Sequence, residues 1–419
     1  MNYYHVRTNR GLESILAAEL RALLPNSEVT ARPAGRAAWV AVGTPAAGLP
    51  AVGAPAVGAE ARRESLLESA ATPISPETFA RLRTAYEVIR VTDMVTLQKL
   101  ANPEEQTVLA AVREFIAGAR LPARLSTVLR GDTPKTTFAV RCLRDGTHAV
   151  QSPTIEREAG TIVGRRSGAA VNLTAPDVTV RVDISDTLLV IGEVVGAQAL
   201  DRRFEWIYRP RITLSTVVAA AALYLADMPD PEHPTIKRVA ARSGTGALLD
   251  PFCGSGTIPI EAASWAAPAP EPEARALAGA AGAGAERPPI YASDLAPEAV
   301  AGTRANAACN GLARRIVPRQ ADATELGRYY RDRGVMEIVC NPPFGVRLGK
   351  RINFDQFYHS LLDGAAETLP RGGRFVLLSS RRRGRLNAVI ASSPAWRLRS
   401  VHLIETGGVF PGIFVLERQ

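Results

Sequence analysis

Short apolar segments alternate with longer helical patterns through the second half of the chain, and no other feature restricts the fold as much. The segments that predict strands are residues 247–249, 290–292, 316–317, 338–340 and 375–378. Apolar residues at helical spacing follow most of them, over residues 258–265, 297–310 and 354–369. This alternation predicts an α/β fold with a mostly parallel, doubly wound sheet that holds ligands at the carboxyl ends of its strands. Residues 396–404 and 409–416 predict an antiparallel hairpin at the sheet edge.

The first of these strands ends in an acidic residue and a glycine-rich turn. Residues 249–257 are Leu-Asp-Pro-Phe-Cys-Gly-Ser-Gly-Thr, so Asp250 closes the strand while Gly254 and Gly256 precede a helix. Glycine lets the backbone approach a ligand closely, and a helix N-terminus offers free amides. The turn lacks the third glycine of the dinucleotide fingerprint and the lysine of a phosphate loop. It indicates either a nucleotide-type site or a tight strand–helix turn without a ligand.

Acidic residues also follow the next two strands. Asp294 ends the strand that begins at residue 290, where a carboxylate can accept hydrogen bonds from a ribose diol. Its alternative role is to cap the helix that begins near Pro297. Asp322 follows the strand at residues 316–317 and is placed to accept from an adenine amino group in the same cleft. The two residues together favour a nucleoside-binding cleft.

The motif Asn341-Pro342-Pro343-Phe344 directly follows the strand at residues 338–340. Prolines fix the backbone where no sheet hydrogen bond continues, so we expect a rigid turn. The turn would hold the Asn341 amide oxygen and the Pro342 carbonyl as two acceptors for the two hydrogens of an exocyclic amino group. Phe344 would stack on the base. Holding the amino group keeps its lone pair available for an electrophilic methyl group, so catalysis would depend mainly on proximity and alignment.

These motifs resemble those of the S-adenosylmethionine-dependent amino-methyltransferases, over residues 213–419. The resemblance implies a Rossmann-like class I methyltransferase domain, with a seven-stranded sheet and an antiparallel edge hairpin, and S-adenosyl-L-methionine as cofactor. The positions that it assigns to cofactor binding are Asp250, Phe252, Gly254, Gly256, Thr257, Asp294, Asp322 and Asn341. The positions that it assigns to catalysis are Asn341, Pro342 and Phe344. It leaves guanine N2, adenine N6, cytosine N4 and a protein glutamine as possible methyl acceptors.

The first half of the chain narrows this choice. Residues 138–141, 146–148, 155–160 and 171–178 are similar to a THUMP RNA-binding domain, and residues 3–24 resemble the ferredoxin-like segment that precedes it. The pair of modules resembles the THUMP-domain tRNA (guanine-N2-)-methyltransferases. That family implies a tRNA partner and direct in-line transfer to N2 of a flipped guanine, in the acceptor stem. Residues 208–215 depart from the family's His-Pro-containing stretch.

Other functions stay open at this point. A ribosomal RNA guanine-N2 methyltransferase shares both modules, whereas a DNA adenine-N6 or protein-glutamine methyltransferase shares only the catalytic motif. An RNA-binding protein with an inactive methyltransferase domain is the alternative that is not an enzyme. The predicted domains are a ferredoxin-like segment (1–84), a THUMP domain (85–195), a linker (196–212) and the methyltransferase domain (213–419). Biased Ala/Pro/Gly stretches at residues 45–59 and 266–289 predict loops.

Composition adds little but is consistent. The formal net charge of +9 favours an anionic partner, although the arginine bias that produces it is also typical of a GC-rich genome. The longest apolar run, residues 217–226, is too short for a membrane span, and no secretion signal is visible. The four cysteines have neither disulfide nor metal-ligand spacing, so we expect no metal. We expect a cytoplasmic protein, with its oligomeric state open.

Overall fold

The structure is a computed structural model that divides the chain into two compact units. The first contains residues 1–13, 24–80 and 85–199, and the second contains residues 14–23, 81–84 and 200–419. The residues that the structure describes are 3–34, 37–43, 62–63, 73–96, 104–126, 136–145, 149–185, 188–196, 199–228, 230, 233–236, 246–265, 287–343, 353–379 and 383–419. The predicted loop at residues 45–59 and most of the one at 266–289 lie outside them.

Within its described residues, the first unit contains one mixed sheet of nine strands. The strands are β1 (Tyr3–Asn9), β2 (Glu28–Ala34), β3 (Ala37–Gly43), β4 (Arg62–Arg63), β5 (Glu87–Thr96), β6 (Thr137–Arg141), β7 (Ala170–Val171), β8 (Val178–Ile184) and β9 (Leu188–Val194). Their order is β2-β3-β1-β5-β9-β8-β6-β7, and β4 pairs with β5. The helices up to residue 199 are α1 (Glu13–Leu23), α2 (Pro76–Phe79), α3 (Glu105–Gly118), α4 (Ala123–Ser126) and α5 (Ser152–Ser167).

Alternating burial explains how the THUMP-like part of this sheet forms. Phe138 and Val140 of β6 and Val178 and Val180 of β8 are buried in one core with Ile155 of α5. Strands β6 and β8 are parallel neighbours, and α5 lies between them in the chain. A crossover helix covers one face of a parallel pair, so the apolar stripe of α5 packs against that face.

Among its described residues, the second unit contains the predicted seven-stranded sheet. Its strands are β10 (Ala247–Asp250), β11 (Ile290–Asp294), β12 (Ile316–Gln320), β13 (Val335–Cys340), β14 (Arg374–Ser379), β15 (Trp396–Leu403) and β16 (Gly412–Arg418). Its helices are α6 (Thr216–Asp227), α7 (Thr257–Ser264), α8 (Pro297–Cys309), α9 (Leu326–Tyr330), α10 (Phe354–Thr368) and α11 (Arg383–Ser392). The order is β12-β11-β10-β13-β14-β16-β15. The five strands β10 to β14 run parallel, and β16 is antiparallel to both of its neighbours.

The edge hairpin is present with a shorter second strand than predicted. That strand begins at Gly412 rather than Val409, because Val409 pairs instead with Thr406 across the turn that contains Gly407 and Gly408. Both glycines have positive φ, at 59° and 80°, which a turn of this kind requires. In the part of the chain that the structure describes, no helix is both long and apolar enough to cross a membrane.

Candidate active site

Four polar residues stand at the carboxyl ends of four adjacent strands in the second unit. Asp250 ends β10 and Asp294 ends β11, while Asp322 and Asn341 follow β12 and β13. The strand order β12-β11-β10-β13 places all four at one edge of the sheet. The chain leaves β10 for β11 on one side and returns to β13 on the other, so this edge contains the topological switch point where ligands bind in doubly wound sheets.

The turn between β10 and α7 is shaped by two glycines. Gly254 has φ 53° and Gly256 has φ 87°, a backbone region that other residues seldom adopt. Gly256 caps α7, and a Cβ there would lie 3.0 Å from Thr303 Cγ2. The backbone N–H of Cys253 donates to Ser293 O at 2.8 Å, which joins the turn to β11. Thr257 begins α7, and its Oγ1 lies 3.2 Å from Ser255 Oγ.

The Asp294 carboxylate is bonded to the turn and to its own helix. Its Oδ2 accepts from the Gly254 N–H at 3.0 Å, and its Oδ1 accepts from the Ala296 N–H at 3.0 Å. The residue that caps α8 is Ala296, so Asp294 stands two residues before the cap and supports the helix by accepting from the cap's backbone N–H. Each oxygen keeps a lone pair after these bonds. The carboxylate therefore remains able to accept from hydroxyl groups of a ligand.

Asp250 has a different environment, because it is buried. Its Oδ1 accepts from the Phe252 N–H at 3.0 Å. Desolvation raises the pKa of the Asp250 carboxyl well above its ordinary value, and the nearby charge of Asp294 raises the pKa further. Phe252 is half-buried, with its ring centroid 6.0 Å from that of Phe357. Asp250 therefore holds the turn from the buried side, while Asp294 is the more accessible carboxylate.

Asp322 caps the short 3₁₀ helix Ala323–Glu325. Its Oδ1 accepts from the backbone N–H and the hydroxyl of Thr324, both at 2.8 Å. Both bonds use the same oxygen, so the second oxygen, Oδ2, has no partner within the described ranges. A half-buried carboxylate oxygen at this edge is a suitable acceptor for an amino group.

Asn341 presents an amide oxygen that is buried and has no hydrogen-bond partner among the residues that the structure describes. Pro342 is also buried, and Phe344 lies outside the described residues. Unpartnered buried acceptors are rare because each costs about 1–3 kcal/mol. The preceding Cys340 is fully buried, and desolvation raises the pKa of its thiol well above the ordinary value. Cys340 is therefore a core residue, and the open acceptor belongs to Asn341.

Two buried polar residues of α8 were missed by the sequence reasoning. Thr303 Oγ1 lies 3.1 Å from Gly254 O and 3.3 Å from Cys253 Sγ. The Asn306 amide donates to Ser255 O at 2.9 Å. Both side chains are buried and hold the glycine turn against α8. The sequence pattern that could have identified them is a pair of polar residues on the apolar face of a helix, because residues three apart share one face.

Comparison with known proteins covers both halves of the chain. The family described as THUMP domain matches residues 128–192, and the family described as RMKL-like, methyltransferase domain matches residues 235–410. A tRNA (guanine(6)-N2)-methyltransferase from Thermus thermophilus is 36% identical over 283 residues, which are 67% of this chain and 72% of that protein. The chain belongs to the THUMP-domain tRNA (guanine-N2-)-methyltransferase family.

Further comparisons agree with this membership. A relative of the same name from Archaeoglobus fulgidus is 30% identical over 293 residues, or 66% of this chain and 69% of that protein. The crystal structure of TrmN from Thermus thermophilus covers 100% of both chains with a TM-score of 0.66 and 28% identity. The family and the fold class predicted from the sequence are thus confirmed, a THUMP region followed by a class I methyltransferase domain.

S-adenosylmethionine is the cofactor of this methyltransferase family, and the site fits it. The open Asn341 oxygen, the glycine turn and the accessible Asp294 carboxylate are the polar groups that a nucleoside-containing ligand requires. Leu295, beside Asp294, is 63% exposed and offers an apolar surface for a flat ring. Among the described residues, no group of three or more His, Cys, Asp or Glu side chains is placed to hold a metal ion.

Proposed function

We propose that this methyltransferase acts on N2 of guanine 6 in the acceptor stem of tRNA. The observation that carries the chemistry is the buried, unpartnered Oδ1 of Asn341 at the switch point of the sheet. The position rests on two relatives, from Thermus thermophilus and Archaeoglobus fulgidus, that are both named tRNA (guanine(6)-N2)-methyltransferase. A cytoplasmic location belongs to the same proposal, because tRNA is its substrate.

The Asn341 oxygen selects and orients the attacking nitrogen. An amide oxygen is an acceptor without a proton to give, so it favours an amino group as its partner. Together with the Pro342 carbonyl, it holds both hydrogens of the exocyclic amino group and limits delocalisation of the lone pair into the ring. Positive charge develops on the nitrogen during attack, and these two oxygens stabilise it. When bound, S-adenosylmethionine supplies a methyl group on a positively charged sulfur.

The remaining site residues would bind the cofactor and the flipped base. Asp294 would hold the ribose diol of the cofactor, and Asp322 would accept from its adenine amino group. Phe344 would stack on the flipped guanine. Direct in-line transfer needs no protein nucleophile. The buried Cys340 thiol, whose pKa is raised by desolvation, supports this choice over a covalent cysteine mechanism.

We also propose the functional division of the chain. A ferredoxin-like segment at 1–84 comes first, and residues 85–195 then bind the RNA. A linker at 196–212 joins them to residues 213–419, which carry out the methyl transfer. The THUMP match at residues 128–192 and the methyltransferase match at residues 235–410 support this division. By their contacts, residues 14–23 and 81–84 belong with the catalytic unit.

The test compares three unmodified substrates with isotopically labelled cofactor: tRNA transcripts, ribosomal RNA and duplex DNA. We expect label as N2-methylguanosine in tRNA, mapped by nuclease fragments to position 6. A matched tRNA in which the base pair containing guanine 6 is replaced by an adenine–uracil pair should accept no label. If N2-methylguanosine formed only in ribosomal RNA, tRNA would be the wrong substrate and ribosomal RNA would take its place. N6-methyladenine in DNA, or no transfer at all, would reject it.

A further inference from the structure

Residues 205–212, here called the strap, lie outside every helix and strand between the two matched regions. Their sequence is Glu-Trp-Ile-Tyr-Arg-Pro-Arg-Ile. Ile207 is 71% exposed and Ile212 is 72% exposed, among the most exposed large apolar side chains that the structure describes. The side chains of Trp206 and Tyr208 are half-buried between them. Both isoleucine side chains lie outside the core and are available for contact with a partner.

The strap is fixed along α8 by asparagine side chains. Asn306 Oδ1 accepts from the N–H groups of Ile207 and Tyr208 at 2.8 and 2.9 Å, and its Nδ2 donates to Tyr208 O at 2.7 Å. Asn310 forms the same kind of pair with Glu205, accepting from its N–H at 3.1 Å and donating to its carbonyl at 2.8 Å. These bonds to buried or half-buried amides give the strap a defined position without regular secondary structure.

A glycine on α8 admits the strap's tyrosine. A Cβ at Gly302 would overlap the Tyr208 ring, so the ring lies directly on the helix backbone. The contacts therefore proceed along α8 from Asn310 to Asn306 to Gly302 as the strap proceeds from Glu205 to Tyr208. Strap and helix run in opposite directions. Because α8 begins just after Asp294, the strap approaches the carboxyl edge of the sheet as it proceeds from Glu205 to Tyr208. Asn306, which bonds Tyr208, also donates to Ser255 O in the glycine turn at 2.9 Å.

Charge changes along the strap in the same direction. Glu205, the acidic residue, is at the end far from the site, while Arg209 and Arg211 are exposed at the end near it. Within the described ranges, neither arginine forms an ion pair. Exposed, unpaired guanidinium groups beside apolar side chains suit an RNA strand, which offers phosphates and base faces.

We propose that the strap is an RNA-contact surface, in which Arg209 and Arg211 bind phosphates of the tRNA next to the flipped nucleotide and Ile207 and Ile212 cover its sugar and base faces. The proposal rests on the proposed tRNA substrate. The strap belongs to the catalytic unit, so it adds a contact near the reacting base to the grip assigned to residues 85–195. Asn306, which bonds both the strap and the glycine turn, is its positioning residue.

The test is the salt dependence of tRNA binding by the full chain with Arg209→Ala and Arg211→Ala together. Two lost phosphate contacts should reduce the magnitude of the slope of log affinity against log salt by about 1.5 to 2. Affinity near 0.1 M salt should fall about tenfold. The affinity for S-adenosylhomocysteine, measured by calorimetry, should stay unchanged. The double variant Arg209→Lys and Arg211→Lys should keep the wild-type slope.

The matched control is Arg314→Ala with Arg333→Ala, which removes the same charge. Both arginines are exposed and precede β12 and β13, at the opposite edge of the sheet. An equal loss in the control would show a general charge effect and overturn the proposal. So would an unchanged slope, or a loss confined to S-adenosylhomocysteine. Because these are binding measurements, a protein that binds tRNA through the strap but methylates another RNA would refute only the proposed function.

Discussion

At the scale of single residues, the site combines one carboxyl group whose charged form is disfavoured by burial with one that accepts hydrogen bonds at the site's edge. Asp250 is buried, and desolvation raises its pKa, whereas Asp294 bonds two backbone N–H groups at the site's edge. A folded state with a raised carboxyl pKa holds its proton more tightly than the unfolded chain does. The contribution of this carboxyl group to the free energy of unfolding is therefore fully present below the unfolded pKa of about 3.9. It decreases as pH rises through the folded pKa.

We expect Asp250→Asn to remove this pH dependence. The asparagine oxygen can keep the bond from the Phe252 N–H without ionising. The free energy of unfolding of the variant, minus that of the wild type, should rise with pH by up to about 1.4 kcal/mol per unit and then level off. Urea unfolding between pH 4 and pH 8 measures the difference. A difference that stays constant over this range would contradict the buried-carboxyl account.

The strand-end residues were predictable from sequence, and the residues that hold them were not. Asp250, Asp294 and Asn341 each follow an apolar strand, so the shared edge of the sheet follows from the alternation of strands and helices. Asn306 and Thr303 lie inside a helix in which alanine is the commonest residue. Nothing local distinguishes a buried asparagine from a solvated one, because its four partners come from two distant segments.

At the scale of elements, the packing of the strap on helix α8 requires a glycine at position 302. Gly302→Ala should destabilise the protein by about 1–3 kcal/mol, because the new methyl group displaces the Tyr208 ring. The matched control is Gly160→Ala in the middle of α5, where the new Cβ meets only Val140 Cγ2 at 3.9 Å. That variant should gain about 0.5–1 kcal/mol from helix propensity. Chemical denaturation of both variants gives the two signs, and equal signs would refute the packing of the strap on α8.

Helix α1 has its own buried anchor within the catalytic unit. Glu19 is fully buried and accepts from the N–H groups of Arg83 and Thr84, at 2.8 and 2.9 Å, and from the Thr84 hydroxyl. The Tyr224 hydroxyl donates to the same carboxylate at 3.0 Å. Residues 14–23 and 81–84 are thereby tied to α6, far from them in sequence.

Glu19→Ala should therefore destabilise the catalytic unit by about 2–4 kcal/mol, because it leaves buried donors without an acceptor. Thermal unfolding with and without S-adenosylhomocysteine would follow this unit. The control, Glu114→Ala at an exposed position of α3, should change stability by less than about 0.5 kcal/mol. A loss at Glu19 as small as that at Glu114 would contradict the anchor.

The elements that sequence patterns did not predict lack a local signal. Strand β3 is Ala-Ala-Trp-Val-Ala-Val-Gly, and alanine and glycine are weak strand formers. It is a strand because β1 and β2 pair with it on both sides. Helix α6 contains the apolar run at residues 217–226, and the periodicity of a run that is apolar throughout does not distinguish a buried helix from a buried strand. Its complete burial depends on the sheet around it, which no window of the sequence contains.

At the scale of the whole molecule, the sheet of the first unit crosses the predicted boundary near residue 85. Strand β5 pairs with β1 on one side and β9 on the other. A fragment of residues 85–195 would expose the edge of β5 that β1 covers in the full chain. We expect this fragment to lack a cooperative thermal transition by circular dichroism, while the full chain shows one. Cooperative unfolding of the fragment would show that its THUMP part is independent of β1.

The central claim is that Asn341 directs a methyl group to guanine N2 of tRNA, and nucleoside analysis by mass spectrometry tests it most directly. Unmodified tRNA is incubated with cofactor and either the wild type or Asn341→Ala, after calorimetry has shown that both bind S-adenosylhomocysteine. We expect N2-methylguanosine from the wild type and a loss of at least about 100-fold in its rate of formation by the variant. Undiminished N2-methylguanosine from the variant, or a methyl group on another base from the wild type, would contradict the claim.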